Sequence, residues 1–367
     1  MQNNCHCKKF YAIFMIFVFA VTIFSGFFAI PPKAEAVKWE TIIGVAASHI
    51  MINNSLNYYN GKGRNEIIQQ FKESEGVSSD PDANRQLGSI MSRLTTAIAK
   101  TDESVNDPPY NYFVNKDQTF NAFCTLGHNL SVNIGVFTFF DYHEDRVAAV
   151  VAHEIAHGQK KHPIRGARRK LTVDLVAAIL GDEMNTAGKL ATGIVAAHAK
   201  NTGITKPNEK EADNMSFTYM AEAGYNVGAT AAVWQRMIEQ SGKKGKDFFG
   251  HLLSPSTHPG NEWRRDNFTK KMHEYSNKKV NVNHDTGEVT INKKVFTAPA
   301  ELGNLSGKER SYLVAGTLAG LYSKKKTLTD KAFADGNILM IGQARIMQCG
   351  PNDLPAAELA ARLNEIK

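Results

Sequence analysis

The chain has 367 residues, 43% of them hydrophobic and 22% charged, with a formal net charge of +7. This composition is typical of a soluble globular protein, and the length suffices for one large domain or two ordinary ones. The positive charge is mild and lacks a basic stripe interleaved with aromatic residues, which argues against a nucleic-acid-binding function.

The N-terminus carries a targeting pattern. Lys8 and Lys9 precede an apolar run over residues 10–30, and the small-residue sequence Ala-Glu-Ala ends at Ala36. This order predicts a secretory signal peptide cut after Ala36. The alternative is an uncleaved membrane anchor, because the apolar run is long enough to span a bilayer. Under both interpretations the remaining chain works outside the cytoplasm, in the periplasm or the extracellular space.

Two cysteines, Cys124 and Cys349, remain outside the N-terminal segment. An oxidising compartment permits a disulfide between them. Two free, buried thiols are the alternative, and two cysteines do not make a disulfide scaffold.

The periodicity changes from helical to strand-like and back along the chain. Helical spacing and helix-opening prolines predict helices, whereas stretches rich in Tyr, Phe, Val and Thr between turn residues predict short strands. The tail alternates apolar and polar residues around Asp285-Thr286-Gly287, which indicates a β-hairpin. The predicted helices cover 39–60, 80–100, two segments within 171–200, 206–223, parts of 225–275, 309–325 and 355–367, and the predicted strands cover 110–114, 121–124 and 130–134.

The pattern His-Glu-x-x-His lies in an Ala- and Val-rich helical segment. Residues four apart lie one above the other on a helix, so His153 and His157 present two imidazoles to one metal ion. Glu154 lies about 100° round the helix, close enough to act on a water molecule beside that metal. The opposite face carries an apolar stripe that predicts burial in the core, formed by Ala148, Val151 and Ile155.

A second helix supplies a candidate third ligand. A zinc site of two histidines and one glutamate needs a carboxylate from another helix and leaves the fourth position open. Glu209 and Asp213 share one face of the helix predicted over 206–223. Glu209 is the predicted ligand, and Asp213 is predicted to accept the free N–H of a zinc-bound imidazole. Glu211 is the rival ligand but points about 200° away from Glu209.

Four ordered motifs resemble those of a known family, the CAAX prenyl protease/HtpX-like zinc metallopeptidases, family forty-eight of the metallopeptidases, which are gluzincins. The resemblance runs from about residue 75 to residue 275. The single N-terminal apolar segment separates the chain from multi-spanning relatives and matches the soluble, exported branch. The motifs are NAFCTLG at 121–127, VVAHEIAHGQKKH at 150–162, EKEAD at 209–213 and THPGNEWR at 257–264.

The resemblance implies a role for each matching residue. His153, His157 and Glu209 would hold one Zn²⁺ per chain, with Glu154 as the general base. Asn121 would lead a strand that lines the substrate cleft.

Two further residues follow the helix that carries the glutamate ligand. By resemblance, His258 either stabilises the tetrahedral oxyanion or caps the zinc in a closed resting form. Arg264 would organise the site.

The predicted fold class is α+β and mainly helical, with a zincin-like metallopeptidase domain that places a small edge sheet beside the HExxH helix. A small C-terminal α+β extension follows. The predicted domains are the signal peptide or anchor at 1–36, the metallopeptidase at 37–278 and the accessory domain at 279–367. No catalytic pattern is found in the last of these.

The predicted function is a zinc-dependent endopeptidase that hydrolyses unfolded or misassembled exported proteins, in protein quality control at the cell envelope. The alternative is a chaperone-like envelope assembly factor with a latent zinc site. A structural zinc protein is a weaker alternative, because structural sites normally have four closed protein ligands.

The expected partners are polypeptide substrates and not nucleic acids. The densest basic run, residues 160–170, is either a solvated connection or a contact with anionic lipid or an acidic envelope protein.

Overall fold

The computed structural model describes residues 39–170, 204–241, 243, 246–249, 259–325 and 327–367. The N-terminal targeting segment, the helices predicted within 171–200 and the side chain of His258 lie outside these residues. Among the described helices, none combines the length and the apolar character that crossing a membrane requires.

Three helices open the described chain: α1 (Trp39–Asn60), α2 (Arg64–Glu75) and α3 (Pro81–Ile98). The start of α3 is fixed locally, because the Asp80 side chain accepts the N–H groups of Asp82 and Ala83 and Pro81 occupies the first turn. Its apolar stripe is fully buried and consists of Leu87, Ile90, Met91, Leu94 and Ile98.

A three-stranded sheet follows, formed by β1 (Asn111–Asn115), β2 (Ala122–Thr125) and β3 (Asn129–Asn133). Strands β2 and β3, both predicted, form an antiparallel hairpin, whereas β1 pairs in parallel with β3. The order β1-β3-β2 leaves β2 at an edge. This edge strand packs against the HExxH helix, so the predicted small sheet beside that helix is confirmed.

The centre of the molecule is helical. A short helix α4 (Ile134–Phe139) leads into α5 (Glu144–Gln159), which carries the HExxH pattern, and a further helix occupies residues 162–170. Helix α5 packs against the first of the helices that come later in the chain and also contacts the second. These later helices are α6 (Lys206–Glu222), α7 (Gly228–Gln240), the single turn Lys246–Phe249, and α8 (Asn261–Tyr275).

The C-terminal region contains two further three-stranded sheets. The predicted hairpin is present as β4 and β5 with a third strand β6, and the predicted helices are present as α9 and α10. The sheet of β7–β9 was not predicted, although its turns at Gly336 and Gly342 have positive φ and the first follows an Asp-Gly hairpin signal. The elements are β4 (Val280–Val282), β5 (Val289–Ile291), β6 (Lys294–Thr297), α9 (Gly307–Lys324), β7 (Ala332–Asp335), β8 (Ile338–Ile341), β9 (Ala344–Gln348) and α10 (Ala356–Ile366).

Helix α9 packs directly on the central helices α7 and α8. The approach is close because glycine lacks a side chain: a Cβ on Gly228 would lie 1.9 Å from the Tyr312 carbonyl oxygen. A buried ion pair joins the HExxH helix to the same element, with Arg146 Nη1 3.1 Å from Glu309 Oε1. One hydrophobic core therefore runs through the unit Ala47–Lys367, and the boundary between residues 278 and 279 stays a prediction.

The two cysteines outside the N-terminal segment, Cys124 and Cys349, are free thiols and both are buried. Burial raises the pKa of each thiol, which keeps the thiols protonated and unreactive.

Candidate metal centre

Helix α5 has one apolar face and one face that carries the HExxH side chains. Its predicted stripe, Ala148, Val151 and Ile155, is fully buried in the core. Two acidic residues, Glu144 and Asp145, lie in its first turn, where negative charge stabilises the helix dipole. The histidines therefore project from a helix whose back is held by packing.

Three potential ligand atoms converge between α5 and α6. The Nε2 atoms of His153 and His157 lie 3.0 Å apart. Glu209 Oε1 is 3.3 Å from His157 Nε2, and Glu209 Oε2 is 3.6 Å from His153 Nε2. A tetrahedral zinc ion with bonds of about 2.0–2.1 Å separates its ligand atoms by about 3.3 Å. The spacing of these three side chains therefore fits a zinc site.

The hydrogen bond to the far side of the His153 ring is also consistent with a cation at this site. Asp213 Oδ1 lies 3.0 Å from His153 Nδ1, and a carboxylate accepts only, so Nδ1 carries a hydrogen and Nε2 has the lone pair whenever the imidazole is neutral, as a metal ligand must be. That lone pair faces His157 Nε2 and the buried Glu209 carboxylate. Electron-rich atoms brought this close in a buried site are stabilised by a shared positive charge.

Arg264 holds Asp213 in place from α8. Its Nε donates to Asp213 Oδ2 at 2.8 Å and its Nη2 donates to Oδ1, which makes a bidentate pair with almost no solvent exposure. The guanidinium lies 3.6 Å from the ring centroid of Trp234. Burial alone would raise the pKa of Asp213, but Arg264 and His153 outweigh it and hold the pKa below its usual value. Asp213 is therefore a fixed negative charge.

Glu154 is attached to the edge strand. Its Oε2 accepts the Cys124 N–H at 2.9 Å, which joins α5 to β2. Burial, aided by the charge of Glu209, raises the pKa of Glu154 to about 7, although His153 and the Cys124 N–H oppose the change. A carboxyl group that titrates near neutrality suits proton transfer.

The two remaining predicted site residues are Asn121 and His258. Asn121 precedes β2, is half-buried, and its carbonyl oxygen accepts the Asn133 N–H at 3.0 Å. His258 lies outside the described residues, so neither of its alternative roles is tested. The structure thus brings together all the predicted residues except these two.

A small cavity of about 40 Å³ adjoins the site, lined by Ala149, His153, Glu154, Thr230 and Trp234 among others. A larger cavity of about 590 Å³ lies beside His143, the residue before α5, and is lined mainly by α9 and β9. The larger cavity contains none of the three candidate ligands. The donor chemistry, and not cavity size, therefore identifies the centre.

The structure also shows one site residue that the sequence analysis missed, His162, and gives Glu211, the rival ligand, a different contact. His162 is fully buried, with its Nδ1 3.0 Å from His157 Nδ1 and its Nε2 3.1 Å from Glu211 Oε2. Glu211 is therefore no ligand in this geometry and instead bonds to a histidine behind the site. A signal was present, because His162 follows His157 by five residues and Glu211 follows Glu209 by two.

A sequence model of peptidase family M48 matches residues 81–271, more than half of the chain. The chain is 26% identical to the beta-barrel assembly-enhancing protease of Yersinia pestis over 183 residues, which are 47% of this chain and 36% of that protein. It is 28% identical to the mitochondrial metalloendopeptidase OMA1 of Schizosaccharomyces pombe over 164 residues, 44% of this chain and 46% of that protein.

A third relative, the metalloprotease LoiP of Escherichia coli strain K12, is 24% identical over 190 residues, 51% of this chain and 73% of that protein. The chain thus spans less than half the length of the first two relatives. The family match includes the HExxH helix, the Glu209 helix and Arg264.

Proposed function

The chain belongs to peptidase family M48, as its four motifs predicted, and we propose that it is a zinc-dependent endopeptidase with His153, His157 and Glu209 as the metal ligands. One observation carries the proposal: two histidines on one helix and a glutamate on the packed neighbouring helix bring their Nε2 atoms and carboxylate oxygens together, with distances of 3.0–3.6 Å between side chains. The carboxyl group of Glu154 lies on the same helix as both histidines.

When bound, zinc supplies Lewis-acid activation of water and of the scissile carbonyl group. Glu154 takes the proton of the attacking water and delivers it to the leaving amine. The Cys124 N–H holds one oxygen of Glu154 and so orients the carboxylate for this transfer. His258 is proposed either to stabilise the oxyanion or to cap the metal at rest.

The residues around the ligands support this chemistry. Asp213 accepts the Nδ1–H of His153 and directs its Nε2 towards the metal, and Arg264 fixes Asp213. Edge strand β2, introduced by Asn121, can pair with an extended polypeptide by backbone hydrogen bonds. The hydrogen bond from the Cys124 N–H to Glu154 keeps strand β2 beside the proposed general base.

The proposed substrates are unfolded or misassembled proteins of the cell envelope, and the proposed location is the periplasm or extracellular space. Two features support this. The N-terminal segment has the order of a secretory signal or anchor, and a relative that is 26% identical over 183 residues is named a beta-barrel assembly-enhancing protease.

The test is cleavage of casein, an unfolded protein, by the zinc-loaded chain with and without a zinc chelator. We expect chelator-sensitive cleavage that Glu154→Gln abolishes while zinc still binds, because the base is lost and the ligands remain. Glu73→Gln, which removes an exposed helical carboxylate, is the matched control and should cleave normally. Wild-type activity in Glu154→Gln, or no cleavage by a fully zinc-loaded wild type, would contradict the proposal.

A further inference from the structure

His162 reaches the metal centre because the chain reverses directly after the HExxH helix. Helix α5 ends at Gln159, Lys161 adopts a left-handed conformation with φ 54°, and a new helix starts at residue 162. The reversal brings the His162 ring against His157, with centroids 4.9 Å apart and planes at 71°. This edge-on contact lets the Nδ1 atoms of the two rings meet at 3.0 Å.

We propose that His162 and Glu211 are positioning residues that select the tautomer of His157 and thereby direct its Nε2 lone pair to the metal. The inference rests on the proposed zinc site. It assigns a role to His162 and Glu211, which contribute no ligand atom of their own.

The direction of each hydrogen bond in the series His157–His162–Glu211 follows from Glu211, its last residue. Glu211 is a carboxylate and can only accept, so His162 Nε2, 3.1 Å away, carries the hydrogen. A neutral imidazole then has its lone pair on Nδ1. His157 must donate to that lone pair from its own Nδ1, which leaves His157 Nε2 unprotonated and facing Glu209 Oε1 at 3.3 Å.

The opposite tautomer is disfavoured by the same contacts. If His157 carried its hydrogen on Nε2, its Nδ1 would need a donor, and His162 would have to donate from Nδ1. The Nε2 lone pair of His162 would then face the Glu211 carboxylate at 3.1 Å, where two acceptors repel. The carboxylate therefore sets the tautomer of His157 through a neutral intermediary.

Helix geometry explains why an intermediary is needed. Glu209 and Asp213 lie on one face of α6, but Glu211 is about 200° away from Glu209 and is too far round the helix to reach a ligand directly. The buried His162 ring spans that gap. Lys160 Nζ, 3.5 Å from Glu211 Oε1, adds a positive charge beside the carboxylate.

The experiment compares zinc affinity, by competition with a chromophoric chelator, for wild type, His162→Leu, His162→Asn and Glu211→Ala. Leucine fills the volume without an acceptor, whereas the Asn oxygen accepts near the position of Nδ1. We expect His162→Leu to weaken zinc binding about 10- to 100-fold, the range for loss of a group that orients a ligand. His162→Asn should recover most of the affinity, and Glu211→Ala should fall between.

A second readout does not involve zinc. Long-range ¹H–¹⁵N spectra of the metal-free protein report the tautomer of His157, assigned with a His157→Gln sample. We expect the Nδ1–H tautomer in wild type and His162→Asn and a mixture in His162→Leu and Glu211→Ala. His273→Leu, which removes a histidine bonded to the Val280 carbonyl oxygen elsewhere, is the matched control and should change neither readout.

The outcomes separate the inference from the function on which it rests. Equal zinc affinity in wild type and all three variants, with an unchanged His157 tautomer, overturns the inference alone. Equal losses in His162→Leu and His162→Asn also overturn it, because packing would then explain the effect. A wild type that binds no zinc overturns the proposed function itself. If His162→Leu does not fold, Glu211→Ala against His162→Asn decides the matter on both readouts.

Discussion

The two histidines of the candidate centre are supported in different ways. Behind His153 stands an inner pair, Asp213 and Arg264, in which both side chains are buried and joined by a bidentate contact. Behind His157 stands an outer pair, His162 and Glu211, in which the histidine is buried but the glutamate side chain is 42% exposed. One candidate ligand, His153, is therefore fixed by a closed ion pair, and the other, His157, by a series of hydrogen bonds that ends at a solvent-exposed carboxylate.

The difference shows how one helix can support two ligands on another. Helix α6 supplies Glu209 to the metal side, Asp213 directly to one imidazole, and Glu211 indirectly to the other. The direct contact requires a buried charge and hence a buried partner, Arg264. The indirect contact avoids that cost because a neutral ring carries the interaction inward.

The largest expected effect comes from removing the cation beside each carboxylate, Arg264 beside Asp213 or Lys160 beside Glu211. Arg264→Leu removes the guanidinium that is paired with the buried Asp213 and Glu209 carboxylates and should cost about 3–5 kcal/mol of unfolding free energy. Lys160→Leu removes the corresponding exposed partner of Glu211 and should cost less than about 1 kcal/mol. Urea unfolding of the metal-free proteins measures both, and equal losses would show that the inner pair is not the more buried one in solution.

The loss of zinc affinity should follow the same order, with a larger loss for the Asp213 variant than for the Glu211 variant. Asp213→Asn should weaken binding about 10- to 100-fold, because a neutral amide oxygen is a weaker acceptor for the hydrogen on His153 Nδ1 and the amide NH2 group would meet the donors of Arg264. Glu211→Gln should weaken it less, below about tenfold, because His162 still accepts from His157. Asp285→Asn, at an exposed residue, is the control for charge. A Glu211 variant weaker than the Asp213 variant would reverse the proposed order.

The pH dependence of the metal-free protein should distinguish the two imidazoles. Burial opposes protonation of His153, but hydrogen bonds to Asp213 and Glu209 outweigh it and raise the pKa to about 9. Burial lowers the pKa of His157. The folded pKa of His153 exceeds its unfolded value of about 6.5, so its contribution to stability is complete below about pH 6.5 and is lost as the pH rises through about 9.

Unfolding free energies at several pH values in that window, with NMR titration of the histidines, measure this loss. His153→Gln should remove its own share of the dependence and leave that of Glu154, whose pKa is about 7, whereas His284→Gln, at an exposed residue, should retain all of it. A flat profile in wild type would mean that Asp213 and Glu209 do not hold a proton on His153.

Salt should produce the smallest effect. Added salt screens exposed charges and leaves buried pairs almost unchanged. The affinity difference between wild type and Glu211→Gln should therefore shrink between about 0.05 and about 0.5 M NaCl, whereas the difference for Asp213→Asn should persist. The chelator competition assay measures both, and parallel salt dependence would contradict the distinction between a closed and an exposed pair.

The sequence by itself determined the features that depend on local spacing. The i, i+4 placement of His153 and His157, the apolar back of their helix, and the shared face of Glu209 and Asp213 all follow from the helical period. The hairpin of β2 and β3 follows from residues that are neighbours in the chain. The α+β, mainly helical class was predicted for the same reason and is confirmed.

Only the tertiary structure decided the contacts between residues that are distant along the chain. Three such contacts are the parallel pairing of β1 with β3, the packing of α9 on α7 and the docking of α6 against α5. Each is set by the burial of two faces, and no local sequence pattern shows which face packs on which. The same holds for Glu211. Its helix position points away from the ligand face, and only the reversal at Lys161, which returns the buried ring of His162 to His157, gives its carboxylate a place in the centre.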